Sequence, residues 1–248
     1  MIAAAVWSAV SFTVRTVRDV PFPGPVETVQ MLGRALTGEP LLGHSIYTHI
    51  AGSLVRWIIG FLGGSLLALA LAIPIGGSRV VERLLMPLVY VLQLVPGLAW
   101  IPIAILLFGL GNGATIFMIT VTALAPVAVN TVAGIRSASE EHLRVARMAG
   151  ASQWQIFRHV LMPGAIPHLM SGLRVGLGNS WRVVVAAEMV VGTGTGLGYS
   201  IIQSRWTLDY TSAFVCIIFI CLLGLVVEYL LFANLERATV GRWGMVRD

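Results

Sequence analysis

The sequence predicts an all-α membrane protein with six transmembrane helices, and three observations support this prediction. Hydrophobic residues make up 57% of the 248 residues, charged residues only 11%, and the mean hydropathy is +0.87. A soluble domain of ordinary composition carries about 25% charged residues, so this chain has too few to cover a water-facing surface. Its apolar runs are continuous rather than alternating, which favours helices over the strands of a membrane barrel.

The net charge of +5 comes entirely from arginine, because the chain contains no lysine. Basicity of this kind indicates either nucleic acid or membrane as a partner. The arginines lie between the apolar runs, which favours membrane lipid and argues against nucleic acid. One domain is expected over residues 1–248.

The chain shows no pattern typical of a catalytic, cofactor or metal site. Cys216 and Cys221 lie inside one apolar run and are interpreted as small core residues. The five histidines have no ligand spacing with cysteines or carboxylates, and they are interpreted as ordinary interfacial residues. We therefore expect no enzyme activity, no bound cofactor and no metal in this chain.

The first two spans are predicted over residues 1–17 and about 50–75, separated by a proline-rich break. The first run is short for a span, which needs roughly 20 apolar residues. The second run carries small residues at every fourth position, namely Gly60, Gly64, Ala68 and Ala72. Such spacing lets another helix approach closely, so we expect a tight helix contact on this face.

The remaining four spans are predicted over residues 84–110, 114–135, 166–191 and 212–235. Pro87, Pro96 and Pro102 interrupt the third of the six, which indicates a kinked helix with carbonyl groups freed inside the protein. The glycine-rich stretch 192–198 does not follow a strand, and no lysine follows it, so a flexible external turn is favoured over a nucleotide-binding loop.

The placement of the arginines predicts that both termini lie in the cytoplasm. With that topology nine arginines are inside and four are outside, which agrees with the excess of positive charge on the cytoplasmic side. The inside set is Arg79, Arg83, Arg136, Arg144, Arg147, Arg158, Arg237, Arg242 and Arg247, and the outside set is Arg15, Arg18, Arg34 and Arg205.

The polar segment 137–163, between the fourth and fifth spans, predicts two short amphipathic helices joined at a glycine. Ser137 stands three residues before Glu140, a capping-box pattern that starts a helix. Gly150 is expected to end this helix, because glycine readily takes the left-handed conformation found at helix ends.

The second of these helices is expected to begin at Ser152, which forms a capping box with Gln155, and to end at Pro163. Its apolar side chains, at helical spacing, are Trp154, Phe157 and Leu161. One interpretation is a helix pair lying on lipid headgroups. The other is a docking site for a cytoplasmic partner, which accounts better for the glycine hinge and the two caps.

This segment resembles the EAA signature of permease subunits of bacterial ABC importers. That signature reads Glu-Ala-Ala, three residues, Gly, and then an Ile/Val-x-Leu-Pro ending. Here Arg144 replaces the Glu and Val145 the first Ala, whereas Ala146, Gly150 and Pro163 match. The stretches that are similar to the nitrate, sulfonate and taurine branch of the family are Pro23–Val26, His49–Arg56, Pro96–Pro102 and Glu188–Tyr199.

The resemblance implies a type I importer permease in the bacterial cytoplasmic membrane, paired with a second copy of itself. Two ATPase subunits would hydrolyse ATP with Mg²⁺, and an external binding protein would deliver the solute. The residues that would contact the ATPase are Arg144, Ala146, Gly150, Ala151, Ser152, Trp154, Phe157 and Pro163. The implied cargo is a small anion such as a sulfonate, nitrate or a carboxylate, with uncharged vitamin precursors as an alternative.

The fifth span carries ionisable and polar residues on one helix face, which we interpret as part of the translocation route, since such groups usually face a bundle interior or a water-filled cavity. The face comprises Ser171, Arg174, Gly178, Trp181, Val185 and Glu188, with Arg182 nearby. Arg182 is a candidate to attract an oxyanion, and Trp181 a candidate gate. The alternatives are that Arg174 reaches the cytoplasmic interface and that Glu188 forms a structural pair.

Other functions fit the sequence less well. A secondary transporter driven by an ion gradient often shows internal repeats and paired broken helices, and no repeat relates the two halves of this chain. An intramembrane enzyme would need a nucleophile with its base, or a metal set. A membrane scaffold would explain the polar segment but not the polar face of the fifth span.

Overall fold

The protein folds as a bundle of helices in a computed structural model that describes residues 2–232, with side chains described up to residue 229. The helices are α1 (Ile2–Arg18), α2 (Pro25–Leu36), α3 (Ile46–Gly77), α4 (Arg79–Leu94), α5 (Ile101–Phe108), α6 (Asn112–Arg136), α7 (Glu140–Met148), α8 (Gln153–Ile156), α9 (Met162–Val191), α10 (Leu197–Thr207) and α11 (Tyr210–Leu225). A 3₁₀ turn (Gly97–Trp100) precedes α5, and π-helical turns occupy Phe157–Leu161 and Val226–Phe232. The all-α prediction is confirmed for this range, while the end of the sixth predicted span and Arg237, Arg242 and Arg247 lie outside it.

Three helices in the described range are long and apolar enough to cross a membrane, and a bent pair of helices makes a fourth if it counts as one span. The three are Ile46–Gly77, Asn112–Arg136 and Tyr210–Tyr229. The 17 residues of α1 fall short of a full span. Helix α9 has 30 residues, but its ionisable side chains lower its hydropathy. Six spans therefore stay a prediction, whereas a protein that passes the membrane several times is supported.

The third predicted span is not a single kinked helix. Helix α4 ends at Leu94, and the chain then turns by 101° into the 3₁₀ turn and α5. Pro96 lies at the bend, where its fixed φ and missing N–H prevent the helix from continuing. Pro87 is accommodated inside α4, and Pro102 occupies the first turn of α5, where a missing N–H costs nothing.

Helix α6 lies at the centre of the bundle and makes extensive contacts with both α3 and α9. A Cβ at Gly60 would lie 2.6 Å from the side chain of Ile119, and one at Gly64 would lie 2.5 Å from the carbonyl oxygen of Thr120. These distances are too short for any side chain, so the small residues of α3 permit the close approach that their spacing predicts.

Small residues also allow α9 to approach α6 closely. A Cβ at Gly172 would lie 2.8 Å from the side chain of Asn130, and one at Gly176 would lie 3.1 Å from Val127. Ala68 and Ala72 of α3 are fully buried in the same core. The close approach of α3 and α9 to α6 therefore depends on small residues.

Candidate functional site

The first helix of the hinged helix pair (residues 137–163) begins two residues later than the sequence predicts. Ser139 is the N-cap of α7, and its Oγ accepts a hydrogen bond of 3.2 Å from the N–H of Glu141. Ser137 instead ends α6, because its N–H donates to the carbonyl of Ala133 and its Oγ donates to that of Gly134. The predicted cap at Ser137 is therefore wrong, since the preceding helix already uses both of its polar groups.

Gly150 forms the hinge of the pair, as predicted. Its φ of +76° is left-handed, and its N–H donates to the carbonyl of Arg147 at 3.0 Å. The N–H of Ala151 closes the turn on the carbonyl of Ala146, also at 3.0 Å. A side chain would find open space at Gly150, so the need for glycine there comes from the backbone conformation alone.

The second helix of the pair starts with the predicted capping box. The N–H of Ser152 donates to Gln155 Oε1 at 2.7 Å, and the N–H of Gln155 donates back to Ser152 Oγ at 3.3 Å. The predicted end at Pro163 is wrong, because α8 runs through the π-helical turn Phe157–Leu161 directly into α9. The wider π turn accommodates a proline, which has no N–H to donate and would otherwise clash with the preceding turn.

The hinged helix pair exposes several large apolar side chains among polar ones. Trp154 is 65% exposed and stacks on Phe157 with ring centroids 5.6 Å apart. Val145 and Met148 are exposed as well. Arg144, on the same helix, pairs with Glu140 at 3.4 Å in a largely exposed position. A role of these residues in docking stays a prediction.

The predicted polar face of α9 divides between the interior and the surface of the protomer. Trp181 is buried, with its ring edge-on to that of Trp57 at a centroid distance of 5.5 Å. Glu188 is fully buried. Arg174 is exposed and pairs with Glu228 at 3.3 Å. The placement of this face along a translocation route stays a prediction, and the contacts of Glu188 match the structural alternative.

Glu188 is the centre of a buried polar cluster that links α3 to the chain after α9. Its carboxylate accepts hydrogen bonds from Arg56 Nη2 at 2.7 Å and Nε at 3.0 Å, and from Ser53 Oγ at 2.9 Å. A fourth bond comes from the backbone N–H of Gly198 at 2.9 Å. Only 5% of Arg56 is exposed. The charges are thus paired and hydrogen-bonded, the condition under which ionic groups are tolerated away from water.

The other N–H groups of Arg56 donate to two further parts of the chain. Nη1 donates to Asn112 Oδ1 at the start of α6, and Nη2 also donates to the carbonyl of Thr195 at 2.6 Å. A single guanidinium therefore ties α3, α6, α9 and the glycine-rich stretch together, using the fork of donors that distinguishes arginine from lysine.

The glycine-rich stretch 192–198 is packed rather than flexible at its end. A Cβ at Gly198 would lie 2.1 Å from the carbonyl oxygen of Val185, and one at Gly196 would lie 2.5 Å from Arg56 Nη2. The N–H of Gly196 donates to the Nδ1 of His49 at 3.1 Å. The prediction of a flexible turn is therefore wrong for residues 196–198.

The interpretation of all five histidines as ordinary interfacial residues is wrong for His49, which is fully buried. Its Nε2 lies 3.0 Å from the carbonyl oxygen of Leu41, and its Nδ1 lies 3.0 Å from Ser200 Oγ.

Sequence reasoning missed the buried polar cluster around Glu188 because Arg56 and Glu188 are 132 positions apart. One feature of the sequence could have indicated the cluster: Arg56 and Glu188 carry opposite charges, and each lies inside an apolar run.

Arg182 faces open space at the bend after α4. It lines a cavity of about 250 Å³ together with Gln93, Thr122 and Asn179. The adjacent Gly178 is half-buried, and a Cβ there would lie 3.8 Å from Arg182 Nη2. Because consecutive helix residues point about 100° apart, Trp181 enters the core while Arg182 leaves it. The pair predicted as an attractor and a gate therefore lies on different faces.

Comparison with known proteins identifies the family of the chain. A family model described as "Binding-protein-dependent transport system inner membrane component" matches residues 60–240. The taurine transport system permease protein of Escherichia coli (strain K12) is 32% identical over 196 residues, which cover 79% of this chain and 70% of that protein. The nitrate import permease protein of a Synechocystis species is 34% identical over 179 residues, which cover 72% of this chain and 65% of the relative.

Solved structures have a similar fold. The MetNI methionine ABC transporter in its inward-facing conformations matches with a TM-score of 0.65 at 20% identity, covering 76% of this chain and 93% of the matched chain. An amino acid ABC transporter with histidines matches with a TM-score of 0.61 at 19% identity, covering 86% and 97%. The prediction from the EAA-like segment is confirmed: the chain belongs to the binding-protein-dependent transport system inner membrane components, as an ABC importer permease of the nitrate, sulfonate and taurine type.

Proposed function

We propose that two copies of this chain form the translocation pathway of an ATP-driven importer in the bacterial cytoplasmic membrane. An external binding protein delivers a small anion, and two cytoplasmic ATPase subunits, which hold ATP and Mg²⁺, dock on the hinged helix pair. Relatives named for taurine, nitrate and bicarbonate transport support an anionic cargo. Both termini of the chain lie in the cytoplasm in this arrangement.

The observation that carries the docking proposal is the set of large apolar side chains that the hinged helix pair exposes, Val145, Met148 and Trp154, here called the apolar surface. Exposed aromatic and methionine side chains are typical anchors at protein interfaces. The helix pair is also stiff, since the capped α8 runs without a break into α9. A displacement applied at Trp154 is therefore passed along one helical rod to the part of α9 that carries Arg182 and Glu188.

The charge around the pair fits a partner with acidic groups. A cavity of about 510 Å³ lies between the pair and the adjoining ends of α3, α4 and α6, and Arg79, Arg136, Arg144 and Arg147 line it. Glu82 neutralises Arg136 at 2.7 Å, and Glu140 neutralises Arg144. The excess positive charge would steer an acidic groove of the ATPase towards the apolar surface.

A test of docking compares two exposed tryptophans in the reconstituted importer. Trp154→Ala removes the anchor, and we expect ATPase binding to weaken by about tenfold or more, the loss typical of a central interface tryptophan. Trp206→Ala is the matched control, because Trp206 is similarly exposed and lies at the end of α10. Equal ATPase binding by both variants would contradict docking at this surface.

The hinge gives a second test with its own control. Gly150→Asp forces a side chain into a left-handed conformation, at a cost of about 1–2 kcal/mol, and we expect membrane insertion to persist while binding-protein-stimulated ATP hydrolysis is lost. Gly164→Asp also enters open space but lies within a regular helix. If stimulation survives the change at Gly150, the helix pair does not couple ATP hydrolysis to transport.

Uptake driven by a proton or sodium gradient without ATP would overturn the proposal of an ATP-driven importer itself.

A further inference from the structure

The cavity at the bend after α4 combines a charge with hydrogen-bonding groups, and none of these has a partner among residues 2–232. Its walls come from the bend itself, α6 and α9. Four of its lining side chains are polar, namely Gln93, Thr122, Asn179 and Arg182, and most of the others are apolar. A volume of about 250 Å³ is smaller than the pockets that hold drug-sized ligands, so the cavity suits a small solute.

Arg182 differs from the other arginines on α3 and α9. Arg56 is paired with Glu188, and Arg174 with Glu228. Within the described part of the chain, Arg182 has no carboxylate partner. It lies nine residues before the end of α9 at Val191, which is about 14 Å along the helix axis. An exposed charge at that depth is costly in lipid, so this face must border water or another protein surface.

The neighbouring polar groups are also free to bind. The Oγ1 of Thr122 is buried and has no hydrogen-bond partner within the described part of the chain. The side-chain amides of Gln93 and Asn179 have none among the residues that the structure describes. Gly97 keeps the space open, because a Cβ there would lie 2.5 Å from Val183 and 2.7 Å from Thr122 Oγ1.

We propose that Arg182, Asn179, Gln93 and Thr122 form a subsite for a small oxyanion in the translocation pathway. The guanidinium supplies charge and two parallel N–H donors, a geometry that matches carboxylate, nitrate and sulfonate groups. The two amides and the hydroxyl supply the further donors that an anion needs after it loses water. This inference rests on the proposed function for its physiological meaning, but the subsite binds anions whether or not ATP drives them.

The test is isothermal titration of the intact importer in phosphatidylcholine nanodiscs without its binding protein. The probes are nitrate, acetate and methanesulfonate, with acetamide as the uncharged control. We expect at least one anion to bind and acetamide not to bind. Arg182→Gln should weaken anion binding by about tenfold or more, since a hydrogen bond to a charged group is worth about 1.5–3 kcal/mol.

Further variants test the other groups of the subsite and provide a control. Arg182→Lys retains the charge without the paired donors and should bind with an intermediate affinity. Thr122→Val and Asn179→Ala should each weaken binding several-fold, and they decide the question if Arg182→Gln does not assemble. Arg205→Gln is the matched control, because Arg205 is also exposed but lies against Trp206, away from the cavity.

Three results would overturn the subsite: no anion binds the wild-type importer, acetamide binds as well as the anions, or Arg182→Gln binds like the wild type. Loss of anion binding when the nanodiscs contain phosphatidylglycerol would assign the charge to lipid headgroups instead. ATP-dependent uptake is measured separately. Wild-type anion binding without ATP-dependent uptake would refute the proposed function and leave the subsite standing, and the reverse pattern would refute the subsite alone.

Discussion

Removing the carboxylate of Glu188 tests whether the buried cluster holds the bundle together. Glu188→Leu keeps a similar volume but leaves Arg56 buried without its counter-charge, and it also removes the acceptor for Ser53 and for the N–H of Gly198. Breaking a buried pair from one side typically costs about 3–5 kcal/mol. At about 2–4 °C per kcal/mol for a chain of this size, the melting temperature should fall by about 6–20 °C.

The double variant Arg56→Met/Glu188→Leu separates the charge effect from loss of shape. With both charges removed, no ion stays buried and unpaired, so we expect most of the lost stability to return. Glu188→Gln should fall between the wild type and Glu188→Leu, since it retains hydrogen-bonding capacity but makes weaker, uncharged bonds.

Unfolding can be followed by thiol labelling, because Cys216 is fully buried and Cys221 is exposed. In a Cys221→Ser background, a maleimide dye reports the exposure of Cys216 as the temperature rises. Glu228→Gln is the control, since its pair with Arg174 is solvated and should contribute about 1 kcal/mol or less. The reasoning fails if Glu188→Leu melts with the control, or if the double variant is no more stable than the single one.

Three smaller changes test other contacts. Gly64→Ala should lower the melting temperature, since overpacking costs about 1–3 kcal/mol, whereas Gly63→Ala should not, because its nearest neighbour would be 3.7 Å away; equal melting of the two would contradict the close contact of α3 with α6. Gly198→Ala should abolish the monodisperse peak in fluorescence-detected size exclusion, and a normal peak would show that the carbonyl of Val185 can move. Ser152→Ala should remove about 1 kcal/mol of capping and speed amide exchange in α8 without changing membrane insertion; unchanged exchange would show that the cap is redundant.

Features that depend on neighbours in the sequence could be predicted. The hinge at Gly150 and the cap at Ser152 each arise within a few residues, so their signal is local. The small residues of α3 could also be read, because a close helix contact leaves a periodic trace even when the partner helix is unknown.

Features that depend on distant parts of the chain could not be predicted. Nothing near Glu188 indicates that its partner is Arg56, and nothing near Gly198 indicates that its N–H binds a carboxylate. The continuation of the helix past Pro163 could not be predicted for a different reason. Proline usually ends a helix, but a preceding π turn allows it to continue, and this turn has no clear sequence pattern.

The Arg56–Glu188 pair also restricts how the protomer can change shape. Separating α3 from α9 at this end would leave two unpaired charges in an apolar interior, so we expect these helices, together with α6, which contacts both, to move as one rigid body. Any change between access to one side of the membrane and access to the other must then be absorbed outside this rigid unit, at the bend around Pro96 between α4 and α5. A cycle of motion that bends the chain at this point would leave the ionic cluster intact.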